Sequence, residues 1–464
     1  MINYKNISGK WRILDNETKK EFEGQLTIND ANGIIYLEIH HDDPLHKDEF
    51  VFMNTPKHVK CINGVLINGA KISLMDCSVY GRTHFKSKSI IAFIAKYALH
   101  GVNLSRPDEC VFTRMRYQIA LIDKWANLNS FEPYLDEKYK RGIGNKEKGQ
   151  ITLLSNSEMG VILEPTFNQS QEGSEGRKKP TESIWICLDY KIPKNYDQSI
   201  KDIQKFLNLV SLGTGIEPYI VKVQGFNKKL YCMELIDKRI ECPLEIITHF
   251  TPKKVEQIHP YFWLFSLKNL INKSYNLIHN WFSKYEKLEP IIELYFAVYR
   301  YEMTDKQTFL NLTQALETYH ARFKAKTKSE YIERVHKILE QCPEINRKGH
   351  LQYLLDDEQN KRGNVLLRSR LSDLFLAEFK LFFLTGYKIQ YEYVIKTVHT
   401  RNYLTHYSES KKEKIFTEDE LPQVVDTLII VLEYYLLLEL GLPEEHIEKK
   451  IIERRRSIEY KYNP

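Results

Sequence analysis

The sequence lacks most of the signatures that would assign a function quickly. Its seven cysteines, at 61, 77, 110, 187, 232, 242 and 342, are odd in number and contain no CxxC pair. A disulfide framework or a zinc knuckle is therefore not expected. Lys and Arg total 67 against 61 Asp and Glu, a balance of +6, which permits an anionic partner but is far from a polybasic binder. No basic segment followed by an apolar run and cleavage site opens the chain, so no secretory signal is expected. The longest apolar stretch, Leu428 to Leu442, is interrupted by Glu433 and Glu439 and reads as too short and too charged for a bilayer. HExxH and GxxxxGK[ST] are missing, and Gly213-Thr214-Gly215 runs into Ile-Glu-Pro rather than a GxGxxG fingerprint. Metal hydrolase, ATPase and dehydrogenase chemistry thus lack their motifs, and no metal or cofactor is expected. A cytoplasmic protein without membrane association is the expectation.

What is present falls into two halves. With 464 residues, two or three domains are expected. The first half is rich in short Ile/Val/Tyr/Phe runs separated by Asn, Asp, Gly and Pro: KWRILD, EFEGQLTIND, GIIYLEIHH, VFMN, GVLINGAKISLMDC and IIAFIAKYAL. Asp30-Ala31-Asn32-Gly33 predicts a hairpin, with Asn-Gly supplying positive φ. Further strands are expected at ECVFTRMRYQI, GQITLLS, SIWICLDY, YIVKVQ and KLYCMEL, with one helix from about Ser199 to Leu212 and an exposed loop over Gln169–Thr181.

Beyond about Pro252 the period becomes helical, from FWLFSLKNLINKSYNLIHNWF and PIIELYFAVYRYEM through to LPQVVDTLIIVLEYYLLLELGL. Phe309, Leu312, Leu316, His320 and Phe323 share one face. Asp305 is a candidate cap, and Thr417-Glu418-Asp419-Glu420 a candidate capping box. The expected class is α+β: a β-rich module over 1–255 followed by an all-α bundle over 256–464.

The chemistry-bearing segment is Arg401-Asn402-Tyr403-Leu404-Thr405-His406, closing a helix whose Tyr387, Tyr391, Val394, Ile395 and Val398 form an apolar stripe. At ~100° per residue, Arg401 and His406 sit about 140° apart around the axis, flanking that stripe. One chain therefore offers them an awkward joint geometry, whereas a second copy packed along the stripe would bring both sets into one cleft. A guanidinium matches phosphate oxygens bidentately and stays charged. Imidazole gives or takes a proton near neutrality, and the Asn402 amide orients either neighbour. Together these are parts for cleaving RNA with its own 2′-OH as nucleophile, leaving a 2′,3′-cyclic phosphate and a 5′-OH.

On these residues the C-terminal half resembles a HEPN domain, whose ribonuclease members carry R-x₄₋₆-H with a polar residue after the Arg: Arg401, Asn402 and His406 here. The whole chain resembles the ApeA-type anti-phage proteins. The matching pieces are Phe22–Leu26, Asn68–Cys77 and Leu121–Trp125 in the first half and Phe309–Phe323 in the second. The resemblance implies a metal-independent endoribonuclease, a homodimer or higher homo-oligomer through HEPN domains, a role in abortive infection, and a phage-encoded trigger sensed by the N-terminal module. A non-catalytic HEPN scaffold that binds RNA, a nucleotide or a protein partner is the alternative.

Three further residues are candidate supports for the site. Glu317 reads equally as a group that orients Arg401 or His406 and as an ordinary surface carboxylate of its helix. His320, on an apolar stripe, reads first as a hydrogen-bonded core residue. His399 lies one turn before Asn402. Lys411, Lys412 and Lys414 are candidate RNA contacts, as are basic residues near 361–370 and 449–461, although cations at helix C-termini are ordinary. His40-His41-Asp42-Asp43 with His46 reads as a solvated turn rather than a metal site.

Overall fold

Alternation of apolar and polar residues builds a barrel. β1 (Tyr4–Ile13), β2 (Phe22–Ile28), β3 (Ile35–Asp42), β4 (His58–Leu66), β5 (Lys71–Phe85) and β6 (Lys88–His100) run antiparallel in the order β6-β3-β2-β1-β4-β5. Pairing of β5 with β6 closes the ring, which removes the free edges of these six strands. The inward residues, among them Trp11, Leu26, Leu37, Ile39, Ile62, Leu74 and Phe93, are buried. Trp11 is the largest, and it fits because its neighbours on the flanking strands are Gly24 and Gly64, where a Cβ would strike the indole. The β2–β3 hairpin forms as predicted, with Gly33 at φ 66° and its N–H donating to the Asn29 carbonyl.

This computed structural model describes residues 4–14, 20–29, 33–42, 56–85, 88–126, 131–135, 141–145, 149–170, 179–230, 232–235, 238–248, 260–271, 276–341, 363–378, 387–407 and 409–462, with single positions 354, 356, 357 and 359. The predicted VFMN strand, the Asp30–Asn32 turn, Asp43–His46 and residues 171–178 lie outside them. Two compact units result: Met1–Val210 with Pro218–Glu256, and Ser211–Glu217 with Gln257–Pro464.

In the first unit the sheet continues past β6 through Leu244–Thr248, Ile220–Phe226, Phe112–Ile119, Lys179–Lys194, Met159–Ser170 and Ile151–Ser155. Two of these strands run into the segment read as a loop, pairing Gln169 with Pro180 and Ser170 with Lys179. Helix α1 (Tyr196–Thr214) is anchored by Ser199, whose hydroxyl meets Tyr117 Oη at 2.5 Å and accepts from Tyr190 Oη at 2.8 Å.

The histidines of β3 correct the turn reading. The strand continues through Asp42, and His41 is buried with its ring 5.6 Å from that of Phe22, so the strand's alternation holds to its end.

The second unit is helical: α2 (Leu277–Arg300), α3 (Asp305–Tyr319), α4 (Lys328–Gln341), α5 (Leu367–Ser372), α6 (Tyr387–His406), α7 (Leu421–Leu440) and α8 (Glu444–Tyr462). α3 is central, packing against α2, α5, α6 and α7. Its cap is Thr304 rather than Asp305: the Thr304 hydroxyl accepts from the Gln307 N–H, and the Gln307 side chain returns the bond. The Thr417–Glu420 box forms as read, with reciprocal bonds of 2.8 and 3.3 Å.

α2 runs through Pro290, joining two of the helical-period stretches into one helix. Proline removes the N–H that the Glu286 carbonyl would accept and crowds that oxygen. Arg322 supplies replacement donors, its Nη1 lying 3.4 Å from the Glu286 oxygen and 2.9 Å from that of Lys287.

By length and composition alone α7 is long and apolar enough to cross a membrane, which corrects the sequence reading. Its surface is used in the bundle, and its carboxylates are partnered. Glu433, 1% exposed, accepts from Tyr295 Oη at 2.9 Å, while Glu439 accepts from Tyr319 Oη and Lys284 Nζ. Gly441, at φ 86°, closes the helix in the left-handed conformation that favours glycine.

Candidate active site

α6 buries Val394, Thr397, Thr400 and Leu404, whereas Ile395 and Val398 are only half-buried. The buried face is thus rotated from the predicted stripe. The reason is chemical: Thr397 and Thr400 return their hydroxyl protons to the carbonyls of Tyr393 and Lys396, at 2.9 and 2.8 Å, and so enter the core without an unmet donor. Thr400 also accepts from the Phe416 N–H at 3.0 Å, fastening the chain after the motif back onto α6. The side chains of Tyr387 and Tyr391 lie outside the described set.

Rotation of the core face decides where the motif points. Arg401 borders the buried face and reaches α3: its Nη2 is 3.2 Å from Glu317 Oε2, and its Nη1 is 3.1 Å from Asn402 Oδ1. Half-buried carboxylate and amide therefore hold the guanidinium on two sides. His406 lies across the helix, exposed, as the last residue of α6. Immediately after it Tyr407 takes φ 49°, a left-handed conformation costly for a bulky residue. The Tyr407 N–H donates to the Tyr403 carbonyl at 2.5 Å, and the two rings meet at 5.6 Å.

Ile395, Val398, Asn402 and His406 recur at spacings of three and four and share a face that the chain does not fully cover. His399 is on the same side and half-buried. It is two turns from His406, ~10 Å along the axis, so the two imidazoles of one chain do not converge.

The remaining candidates separate. His320 is fully buried. Its Nε2 lies 2.9 Å from Asp373 Oδ2 and its Nδ1 3.0 Å from Arg370 Nη1, which makes it a core residue rather than a substrate contact. Burial pushes its pKa down, with Asp373 opposing. Lys412 and Lys414 are exposed on the short helical turn Glu409–Lys414, while the Lys411 side chain lies outside the described set.

Several basic residues read as RNA contacts are used internally. Arg370 is 7% exposed. Arg368 pairs with Asp356 and Arg454 with buried Glu433, and Lys450 donates to Glu453 and to the Tyr261 carbonyl. Sequence counting registers their charge but not their partners.

A closed β-barrel extended into a sheet, followed by a helical bundle in which α6 carries Arg401, Asn402 and His406 at its end, makes a chain of two units. Residues 6–281 match the model of ApeA N-terminal domain 1, and residues 310–446 match that of the Apea-like HEPN domain. The chain belongs to the ApeA family, and its HEPN domain places it among nuclease-type anti-phage proteins in general. No curated protein matches it.

Proposed function

We propose that the chain is a metal-independent endoribonuclease of anti-phage defence, acting by abortive infection, with Arg401, Asn402 and His406 as its catalytic set. The observation that carries this reading is the Arg401 guanidinium held between Glu317 and Asn402 at the end of α6, five residues before an exposed imidazole. His406 takes the proton of a ribose 2′-OH, or gives one to the departing 5′-oxygen. The 2′-oxygen bonds to phosphorus, the P–O5′ bond breaks, and charge building on the phosphoryl oxygens is met by Arg401. Products are a 2′,3′-cyclic phosphate and a 5′-OH on host or phage RNA, with tRNA as one candidate target.

Arg401 and His406 of one chain diverge around α6, so the working site is shared by two copies. The Ile395–Val398–Asn402–His406 face supports this arrangement: it is half apolar, incompletely covered, and carries two of the three motif residues. Lys412 and Lys414, just beyond the motif, suit an RNA backbone. The N-terminal module serves as sensor, relieving an off state when it meets a phage-encoded trigger protein.

The test is induced expression followed by sequencing of RNA ends. Arg401→Ala and His406→Ala should each abolish growth arrest and cleavage while leaving the oligomer intact by light scattering. Cleavage should persist in EDTA. A double variant that cleaves like wild type would reduce the domain to a scaffold for RNA, a nucleotide or a protein.

A further inference from the structure

α7 and α6 both end on a residue in the left-handed conformation, but not on the same kind of residue. α7 uses Gly441, at φ 86°, as such a position favours. α6 uses Tyr407, at φ 49°, where a bulky side chain makes the conformation costly. The Tyr407 N–H closes the helix on the Tyr403 carbonyl, a bond that glycine would make without that cost. Helix termination alone therefore does not account for a tyrosine here, and backbone strain of this kind gathers at ligand-binding positions.

The folded chain itself makes little use of the ring. Tyr407 is 67% exposed, and among the described residues its hydroxyl makes no hydrogen bond. The Tyr403 ring meets it at 5.6 Å with the planes 61° apart. That edge-on contact props the Tyr407 ring and leaves a face of it open.

The propped ring stands beside the proposed chemistry. Tyr407 directly follows His406, Cα to Cα about 3.8 Å. Tyr403 is half-buried and three residues before His406, hence on the same side of α6. Arg401 offers charge to a phosphate and His406 a proton site to a ribose hydroxyl or a leaving oxygen. Neither holds the base attached to that ribose, although attack by the 2′-OH needs the nucleotide fixed in one orientation. Unpaired bases are held by stacking on aromatic side chains, since every base has a π face.

We infer that Tyr407 is a substrate-binding residue: a base beside the scissile phosphate stacks on its ring, with Tyr403 as the prop. This rests on reading Arg401 and His406 as an RNA-cleaving site. The rival use of an exposed tyrosine is a contact between protein copies, and the experiment separates the two.

The full-length chain with His406→Ala, which leaves RNA uncut, is titrated with a short single-stranded RNA. The RNA carries 2-aminopurine at successive positions, and the fluorescence of this base falls when it stacks. Quenching should appear at one position. Adding Tyr407→Ala or Tyr407→Leu should weaken binding about tenfold and remove the quenching, whereas Tyr407→Phe and Tyr407→Trp should keep both. Tyr407→Gly should bind as weakly as Tyr407→Ala yet melt no lower than its parent, because the strained backbone is relieved. Lost affinity in that variant is then not lost fold.

Unchanged affinity and quenching in Tyr407→Ala overturn the inference, as does a parent chain that binds no RNA. A loss of affinity that Tyr407→Phe shares, or that accompanies dissociation of the oligomer on light scattering, overturns it too. Tyr407-dependent stacking in a chain that, with His406 intact, cleaves no RNA counts against the nuclease reading alone. Cleavage that persists while Tyr407→Ala binds like its parent counts against the stacking alone.

Discussion

Arg401 and Glu317, eighty-four positions apart in the chain, meet at 3.2 Å where α6 crosses α3. The same guanidinium reaches Asn402 at 3.1 Å with its other terminal nitrogen. A lysine keeps the charge but lacks the planar fork, so it cannot hold both partners and still present a face to phosphate. Arg401→Lys should therefore cost about 100-fold in cleavage rate. Near-wild-type rates for the lysine variant would mean that charge alone is needed at this position.

Arg322 stands in for the N–H that Pro290 lacks, through its contacts to the Glu286 and Lys287 carbonyls. Arg322→Ala should destabilise the chain by about 0.5–1.5 kcal/mol. In a Pro290→Ala background the backbone recovers its own donor, and the same substitution should cost less. Urea unfolding of the four proteins reads the cycle, and equal costs in both backgrounds would contradict the arrangement.

These cases mark where sequence reading ends. The barrel strands are legible because period-two alternation in a chain segment such as Phe22–Ile28 is a local property. Closure is not, since the β5–β6 contact is made by topology rather than by composition. The buried face of α6 was misplaced because Thr397 and Thr400 look polar until their hydroxyls are seen to bond their own helix. His320 was legible as a core histidine from its stripe, but its partner Asp373 is fifty-three positions away and carried no local mark. Arg370 drew attention for its charge and proved to be buried. Local periodicity survives translation into structure, whereas pairings between distant polar residues have to be seen.

Within the barrel, Trp11 lies over Gly64 of β4, its direct cross-strand partner. A methyl group at position 64 would fall within the indole ring, and the ring has no free space, being fully buried. Gly64→Ala should cost about 1–3 kcal/mol through overpacking, with a change in tryptophan fluorescence. Gly81→Ala is the control, because a Cβ there meets nothing within 4 Å, and it should change stability by about 0.5 kcal/mol or less. Equal effects at the two positions would show that lost glycine flexibility, not collision with Trp11, sets the cost.

The His320–Asp373 pair predicts how stability responds to acid. Burial lowers the His320 pKa below its ordinary 6.5 even though Asp373 opposes the shift. Burial pushes the Asp373 carboxyl up, but His320 and Arg334 outweigh it and hold the group at about 2, below its ordinary 3.8. Both folded-state values are depressed, so both groups bind protons more readily in the unfolded chain, and both stabilise the fold above their unfolded pKa values. As pH falls, the His320 contribution is lost first, starting near its ordinary 6.5, and that of Asp373 follows between 3.8 and about 2. The melting temperature should accordingly decline between about pH 6.5 and pH 5, before most carboxylates titrate. His320→Gln should melt lower at neutral pH, having lost its Asp373 and Arg370 contacts, yet decline less steeply over that interval. An unchanged slope in His320→Gln would assign the acid sensitivity to other histidines and show that the buried imidazole is not the titrating group.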